Sequence, residues 1–224
     1  MTLPFNIEPY RHISPKEMRE LIRKDEWTHP TSGLCLSHVQ ANMIVLPKDW
    51  ACDFLVFAQR NPKPCPILDI TEPVDYEARI VAPGSDVRTD IPRYRVWQDG
   101  VLIDEPTDVK KYWRDDLVAF LLGCSFSFEG ALLEASIPIR HIDMNCNVPM
   151  YVTNIECKPS GRLSGPMVVS MRPVKYAQVP KAVLSTGRFP AVHGAPVHIG
   201  DPAAIGIKDV NKPEFGDAVE IREG

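Results

Sequence analysis

The sequence predicts an α/β fold of mixed sheets with flanking helices, arranged as two interleaved α/β subdomains. Three observations carry this. Short apolar runs of strand type alternate with amphipathic helix-type segments, without the strict repeat of a βαβ array. The 22 prolines are spread along the chain instead of forming a linker, which calls for short elements joined by shaped turns. The hydrophobic (44%) and charged (24%) fractions are those of a globular chain,. A chain of this length buries roughly 70% of its unfolded surface with no disulfide or metal to help.

Each element has a local cause. Ser14 followed by Pro15 supplies a cap and a first-turn proline for a helix over KEMRELIRK,. ANMIVLP (41–47) reads as a strand and DWACDFLVFAQ (49–59) as a helix,. NPKPCP (61–66) stops that helix, because proline lacks a backbone donor and keeps its predecessor out of the α region,. ILDI (67–70) and ARIVA (78–82) are short strands. YRVW (94–97) and VLIDE (101–105), joined through Gln98-Asp99-Gly100, form an Asp-Gly hairpin,. Thr107 caps a helix over DVKKYWRDDLVAFLL, whose Val109, Tyr112, Trp113, Leu117, Phe120 and Leu121 keep helical spacing, and Gly123 ends it,. FSFEGALLEA (126–135) is a second apolar helix. IPIRHI (137–142), MYVTNIEC (150–157) and GPMVVSM (165–171) are strand-like, VPKAVLSTG (179–187) is helical, and a turn-rich tail follows.

The net charge of -4 argues against a nucleic-acid partner bound by phosphate neutralisation. No apolar run reaches the ~18 residues of a membrane span, and MTLPFNIEPYRH lacks the layout of a signal peptide,. Cys35, Cys52, Cys65, Cys124, Cys146 and Cys157 form no Cys-x-x-Cys pair, so reduced thiols in a cytoplasm are expected,. Between Cys157 and Gly200 there is no acidic residue, while Lys158, Arg162, Arg172, Lys175, Lys181 and Arg188 are cationic. Two readings fit: a locally positive cleft for a small anion, or side chains that snorkel and pair with the acidic remainder.

Two segments can carry chemistry. In Gly123-Cys124-Ser125-Phe126-Ser127-Phe128-Glu129, a turn brings hydroxyls, a thiol and a carboxylate to a helix start. There Ser125 is an expected N-cap, and unpaired N–H groups attract anions. Glu129 moves protons if burial raises its pKa, or simply offsets the helix dipole. The segment is no nucleophile elbow, since Ser127 stands where Gly-x-Ser-x-Gly needs glycine and a helix precedes it,. In the second segment, His193, His198 and Asp201 sit among glycines and prolines. An acid/base histidine oriented by Asp201 is the main reading. A divalent cation on the three is the lesser one, because their spacing matches no standard site. No other cofactor is evident. Asn147, Tyr151, Thr153 and Asn154 suit a small polar ligand, although turn formation also accounts for Asn147. Arg172 clamps a carboxylate or forms a surface ion pair, and Cys65 reads as a small buried residue.

Taken together, NPKPCP, PRYRVWQDG, LVAFLLGCSFSFE, NVPMYVTNI, GPMVVSMRP and RFPAVHGAPVHIGDPAAIGI resemble the D-glutamate cyclase family, whose bacterial members are labelled hydro-lyases. The likeness runs in order through nearly the whole chain. It implies one family unit over 14–222 made of two subdomains, and reversible loss of water from D-glutamate to give 5-oxo-D-proline. Family members also continue past this point with Trp-Ala-Cys-Gly and Pro-Gly-His stretches that do not occur here. For that reaction the expected carboxylate ligands are Arg172 and the N–H groups after Gly123. The expected proton carriers are Glu129 or His193, and the expected oxyanion donors are Ser125, Ser127 and Asn154. His198 and Asp201 complete the expected substrate contacts. A thioester through Cys124 is disfavoured because nothing nearby lowers its pKa. The expected partner is a small anionic metabolite, with self-association into a homo-oligomer compatible. The alternatives are a hydro-lyase for another small amino or hydroxy acid, and a non-catalytic metabolite-binding protein.

Overall fold

The computed structural model describes residues 6–222, so the N-terminal reading over residues 1–5 lies outside them. Helix α1 (Pro15–Arg23) begins as its sequence requires. The Ser14 hydroxyl accepts from the Glu17 amide at 3.2 Å, and the Glu17 carboxylate accepts from the Ser14 amide at 2.8 Å. This reciprocal cap satisfies two otherwise orphaned donors. Met18 and Ile22 then pack with Ile7, Trp27 and Leu34.

The central sheet has the order β1-β5-β2, from β1 (Ala41–Pro47), β5 (Leu117–Gly123) and β2 (Ile67–Ile70), with both pairings antiparallel. Helix α2 (Lys48–Arg60) covers one face, where Phe54 meets Val118, Phe120 and Leu122. On the other face Ala119 and Leu121 pack with Ala78 and Val87. These contacts overturn the helix expected over DVKKYWRDDLVAFLL. Only a single 3-10 turn forms at Lys110–Tyr112, and the apolar half is the middle strand. A strand buried on both faces needs apolar residues at every position, so the period-of-two signature vanishes and helical spacing arises by coincidence.

The Asp-Gly hairpin forms from β3 (Val96–Gln98) and β4 (Val101–Asp104), with Asp99 at φ 50° and Gly100 at φ 80°, the signs a tight I′ turn demands,. ARIVA is not a strand. The Ile80 and Val81 amides donate to the buried Asp69 carboxylate at 2.9 and 3.3 Å, so the chain wraps around that anion instead of pairing. Helix α3 (Glu129–Glu134) follows a 3-10 turn at Ser125–Phe128. IPIRHI, expected as a strand, enters helix α4 (Arg140–Asp143) and buries Ile137, Ile139 and His141. Strands β6 (Met150–Glu156) and β7 (Pro166–Ser170) pair with each other, and α5 (Val179–Gly187) spans the expected residues. The α/β class stands, with the named sheets antiparallel. Among the described residues no helix is long and apolar enough to cross a membrane.

Candidate active site

The end of the central strand positions the site. A Cβ on Gly123 would sit 2.8 Å from Val192 Cα, so glycine lets the 190–195 loop lie against β5,. Gly123 also donates its amide to Pro66 O at 2.8 Å, which ties in the NPKPCP loop. At the junction His193 takes a left-handed conformation (φ 79°), and its Nδ1 lies 2.9 Å from the Lys63 carbonyl. A carbonyl can only accept, so Nδ1 carries the proton and Nε2 keeps its lone pair. Burial lowers the pKa of His193, against the pull of the Lys63 and Gly123 main-chain groups, and the nearby Lys63 and Arg172 charges add to the fall. The ring is therefore neutral near pH 7.

Glu129, the first residue of α3, is fully enclosed, at 0% exposure. Its Oε1 accepts from Arg172 Nη2 at 2.7 Å and lies 2.8 Å from His141 Nε2. Its Oε2 accepts from the Ser32 hydroxyl at 2.7 Å, and Ser32 Oγ is itself 3.0 Å from His141 Nε2. Burial alone would push the Glu129 carboxyl up, but Arg172 and His141 outweigh it and hold the carboxyl below its ordinary range. Burial lowers the pKa of His141, against the pull of Glu129. The cluster is thus a carboxylate, a guanidinium and a neutral imidazole, locked by a serine. Glu129 accordingly departs from the expected proton carrier: it is ionised, saturated with donors and shut away from solvent.

Arg172 follows β7 and turns inward, which decides against the surface ion pair. Its Nη2 also donates to Ser125 Oγ at 3.1 Å and its Nη1 to Ser170 Oγ at 3.2 Å, while Nε is buried without a partner. Ser125 is not the expected N-cap, because the intervening 3-10 turn moves it off the helix start and α3 has no side-chain cap. Since its oxygen accepts from Arg172, its own proton remains to be donated. Cys124 is buried and its thiol is pushed up to about 11 by burial, so it stays protonated.

Ser127, Asn154 and Asp201 lie away from the groove, and His198 lines it with one ring nitrogen already engaged. Ser127 accepts from the Gln40 amide at 2.8 Å and donates to the Gln40 carbonyl at 3.2 Å, which pins the start of β1 and uses up its hydroxyl. Asn154 is exposed on β6 and does not line the groove in front of Arg172. His198 Nε2 bonds the Asp201 carbonyl at 2.7 Å, and the Asp201 carboxylate caps the Ala203 amide at 2.9 Å. Asp201 therefore orients its own turn and not His193. Among the described residues no three His, Cys, Asp or Glu side chains are grouped as a metal site, and His193, His198 and Asp201 are each engaged with main-chain groups.

The groove lined by Lys63, Cys124, Ser125, Arg172, His193 and His198 is extended and open, with a volume of about 2070 Å³. A small-molecule pocket needs roughly 300–1,000 Å³, so the polar residues, not the volume, locate the chemistry. Of the acid-free segment, Arg172 enters this site while Arg162 pairs with Asp53 at 3.2 Å and Asp49 at 3.6 Å. Arg162, and Arg172 through Glu129, follow the pairing reading of that segment. No sequence pattern pointed to Ser32. For His141 the pointer was a lone imidazole inside the apolar IPIRHI.

A family model described as D-glutamate cyclase matches residues 118–224. Three similar relatives carry the name "Putative hydro-lyase". The one from Psychrobacter arcticus is 58% identical over 95% of this chain and 81% of its own length. The one from Clostridium beijerinckii is 55% identical over 96% and 82%. The one from Stutzerimonas stutzeri is 56% identical over 98% and 83%.

Proposed function

The chain belongs to the D-glutamate cyclase family and is a lyase of the hydro-lyase type; from that premise we propose that it converts D-glutamate to 5-oxo-D-proline and water in the groove between Arg172 and His193. The observation that carries the proposal is the inward-held Arg172 guanidinium. Glu129 fixes it, one Nη1 hydrogen beyond the bond to Ser170 is unspent, and a serine proton and a neutral imidazole line the same groove.

The remaining Nη1 donor and the charge of Arg172 hold the substrate α-carboxylate,. His193 Nε2 takes a proton from the ammonium, which frees the nitrogen lone pair to attack the γ-carbonyl carbon. The negative oxygen of the tetrahedral adduct accepts the Ser125 hydroxyl, a contact worth about 10²–10³ in rate where such donors have been removed. The imidazolium protonates one oxygen of the adduct, and His193 then takes the second proton from the ring nitrogen and passes it to that same oxygen as its C–O bond breaks. Two protons thus leave the nitrogen and depart with that oxygen as water, so no co-reactant is needed. Ring closure is already intramolecular, so holding the two ends together contributes less here than in a two-reactant step.

The test is incubation with D-glutamate, L-glutamate and a panel of small hydroxy acids, followed by product mass. Loss of one water from D-glutamate, strongly reduced in Arg172→Ala and His193→Ala, is expected. Dehydration of a hydroxy acid with D-glutamate untouched would move the reading to another hydro-lyase substrate. Saturable binding with no turnover would move it to a metabolite-binding protein.

A further inference from the structure

Lys63 sits in NPKPCP, a segment that the proposed reaction leaves unused. The loop is rigidly held at both ends. Asn61 bridges the Phe57 and Lys158 carbonyls at 2.8 Å each and accepts from the Lys158 amide at 2.8 Å, and Pro66 O receives the Gly123 amide. Between these anchors the Lys63 carbonyl holds His193 Nδ1, and the Lys63 side chain, half-buried on the groove wall, donates to the Ala195 carbonyl. An ammonium has three donors, and this one uses one of them. Among the described residues no carboxylate forms an ion pair with Lys63, and burial lowers its pKa with no acidic group opposing the fall. A cation partly withdrawn from water with no counter-charge is costly, and an anion is what relieves it.

From this half-buried ammonium on the groove wall beside His193, with two donors unspent and no carboxylate of its own, we infer that Lys63 binds the second carboxylate of the ligand and makes the site selective for dicarboxylates. Arg172 takes one carboxylate and Lys63 the other, with His193 within the field of both cations. In the proposed reaction, on which this assignment rests for the identity of the substrate, the second group is the γ-carboxyl. Lys63 then polarises the carbon under attack as well as selecting it. A purely structural lysine, present to staple the Ala195 carbonyl, would not discriminate between ligands.

The experiment is calorimetric titration of the full chain with glutarate and with butyrate, matched in apolar length and differing in the second carboxylate. The wild type is expected to prefer glutarate. Lys63→Gln, which keeps a donor for Ala195 but no charge, is expected to lose about ten- to a hundred-fold of its glutarate affinity and leave butyrate binding unchanged. The tether to His193 is a main-chain carbonyl, so this substitution does not remove it. Lys63→Met, which keeps the stem, gives the same readout if the glutamine variant fails to fold. Equal binding of the two acids by the wild type, or an intact glutarate preference in the neutral variants, overturns the inference. A wild type that prefers glutarate but does not turn over D-glutamate sinks the proposed reaction and leaves the role of Lys63 standing.

Discussion

Glu129 and His193 divide the work that either residue type could have done, and their surroundings make the division. His193 is half-buried on the groove wall with one nitrogen tied to Lys63 and the other unprotonated. Glu129 faces no solvent and spends both oxygens on Arg172, His141 and Ser32. His193→Ala is therefore expected to lower kcat by about 10²–10⁴ while the urea midpoint stays near that of the wild type. Glu129→Gln is expected to act first on stability, by about 3–5 kcal/mol, because it leaves a buried guanidinium without its counter-charge; equilibrium urea unfolding reads this directly. Cys124→Ala keeps turnover, since a thiol held near 11 is no nucleophile at neutral pH,. A dead alanine variant with an intact fold would reopen the thioester route. At this scale Arg172, Ser125 and His193 were legible because a cation, a hydroxyl and an imidazole each stood out in an unusual local setting. Ser32 and His141 were not, because they lie 109 positions apart and meet only once the chain has folded.

Elements were legible wherever one residue type forces the geometry. Ser14-Pro15 with Glu17 specifies the start of α1, and Asp99-Gly100 specifies the hairpin. Patterns that two structures share were not: the apolar run of β5 suits a buried strand as well as a helix, and only its two covered faces decide. The segment over ARIVA failed for a different reason, since its amides are claimed by a carboxylate eleven and twelve residues away. Gly123 links element to site, and this gives a prediction. Gly123→Ala forces a methyl against Val192 and the Ala191 carbonyl, which should cost about 1–3 kcal/mol and push the 190–195 loop off β5. Turnover should fall with His193 still present, and the mobility of the loop should appear as faster amide exchange at Val192. Unchanged exchange there would mean that the strand end does not set the loop.

Across the whole molecule, the groups that build the site also make the fold sensitive to acid, and the sign of that sensitivity follows from their surroundings. Burial lowers both His141 and His193 from an ordinary value of 6.5. Below that pH the unfolded chain takes up protons that the folded chain refuses, so the unfolded state binds more protons and stability falls as pH falls. Each histidine contributes a slope of up to about 1.4 kcal/mol per pH unit, beginning near 6.5 and ending at its lowered folded value. Glu129 adds a second stage. Its carboxyl is held below the ordinary 4.5, so its stabilisation is complete above that value and is lost as the pH drops through the folded one. Unfolding free energy should therefore be flat above about pH 7 as far as these groups are concerned, decline from about 6.5, and steepen again below 4.5. His141→Asn removes one histidine from the first stage without touching the other, so urea titrations between pH 7.5 and 5 should show roughly half the wild-type slope, on a lower plateau because Glu129 has lost a donor. A variant slope equal to that of the wild type would mean that His141 titrates alike folded and unfolded, and a steeper one that His141 is charged in the folded protein. Glu129 would then face two cations, with Arg172 freer to turn toward the groove.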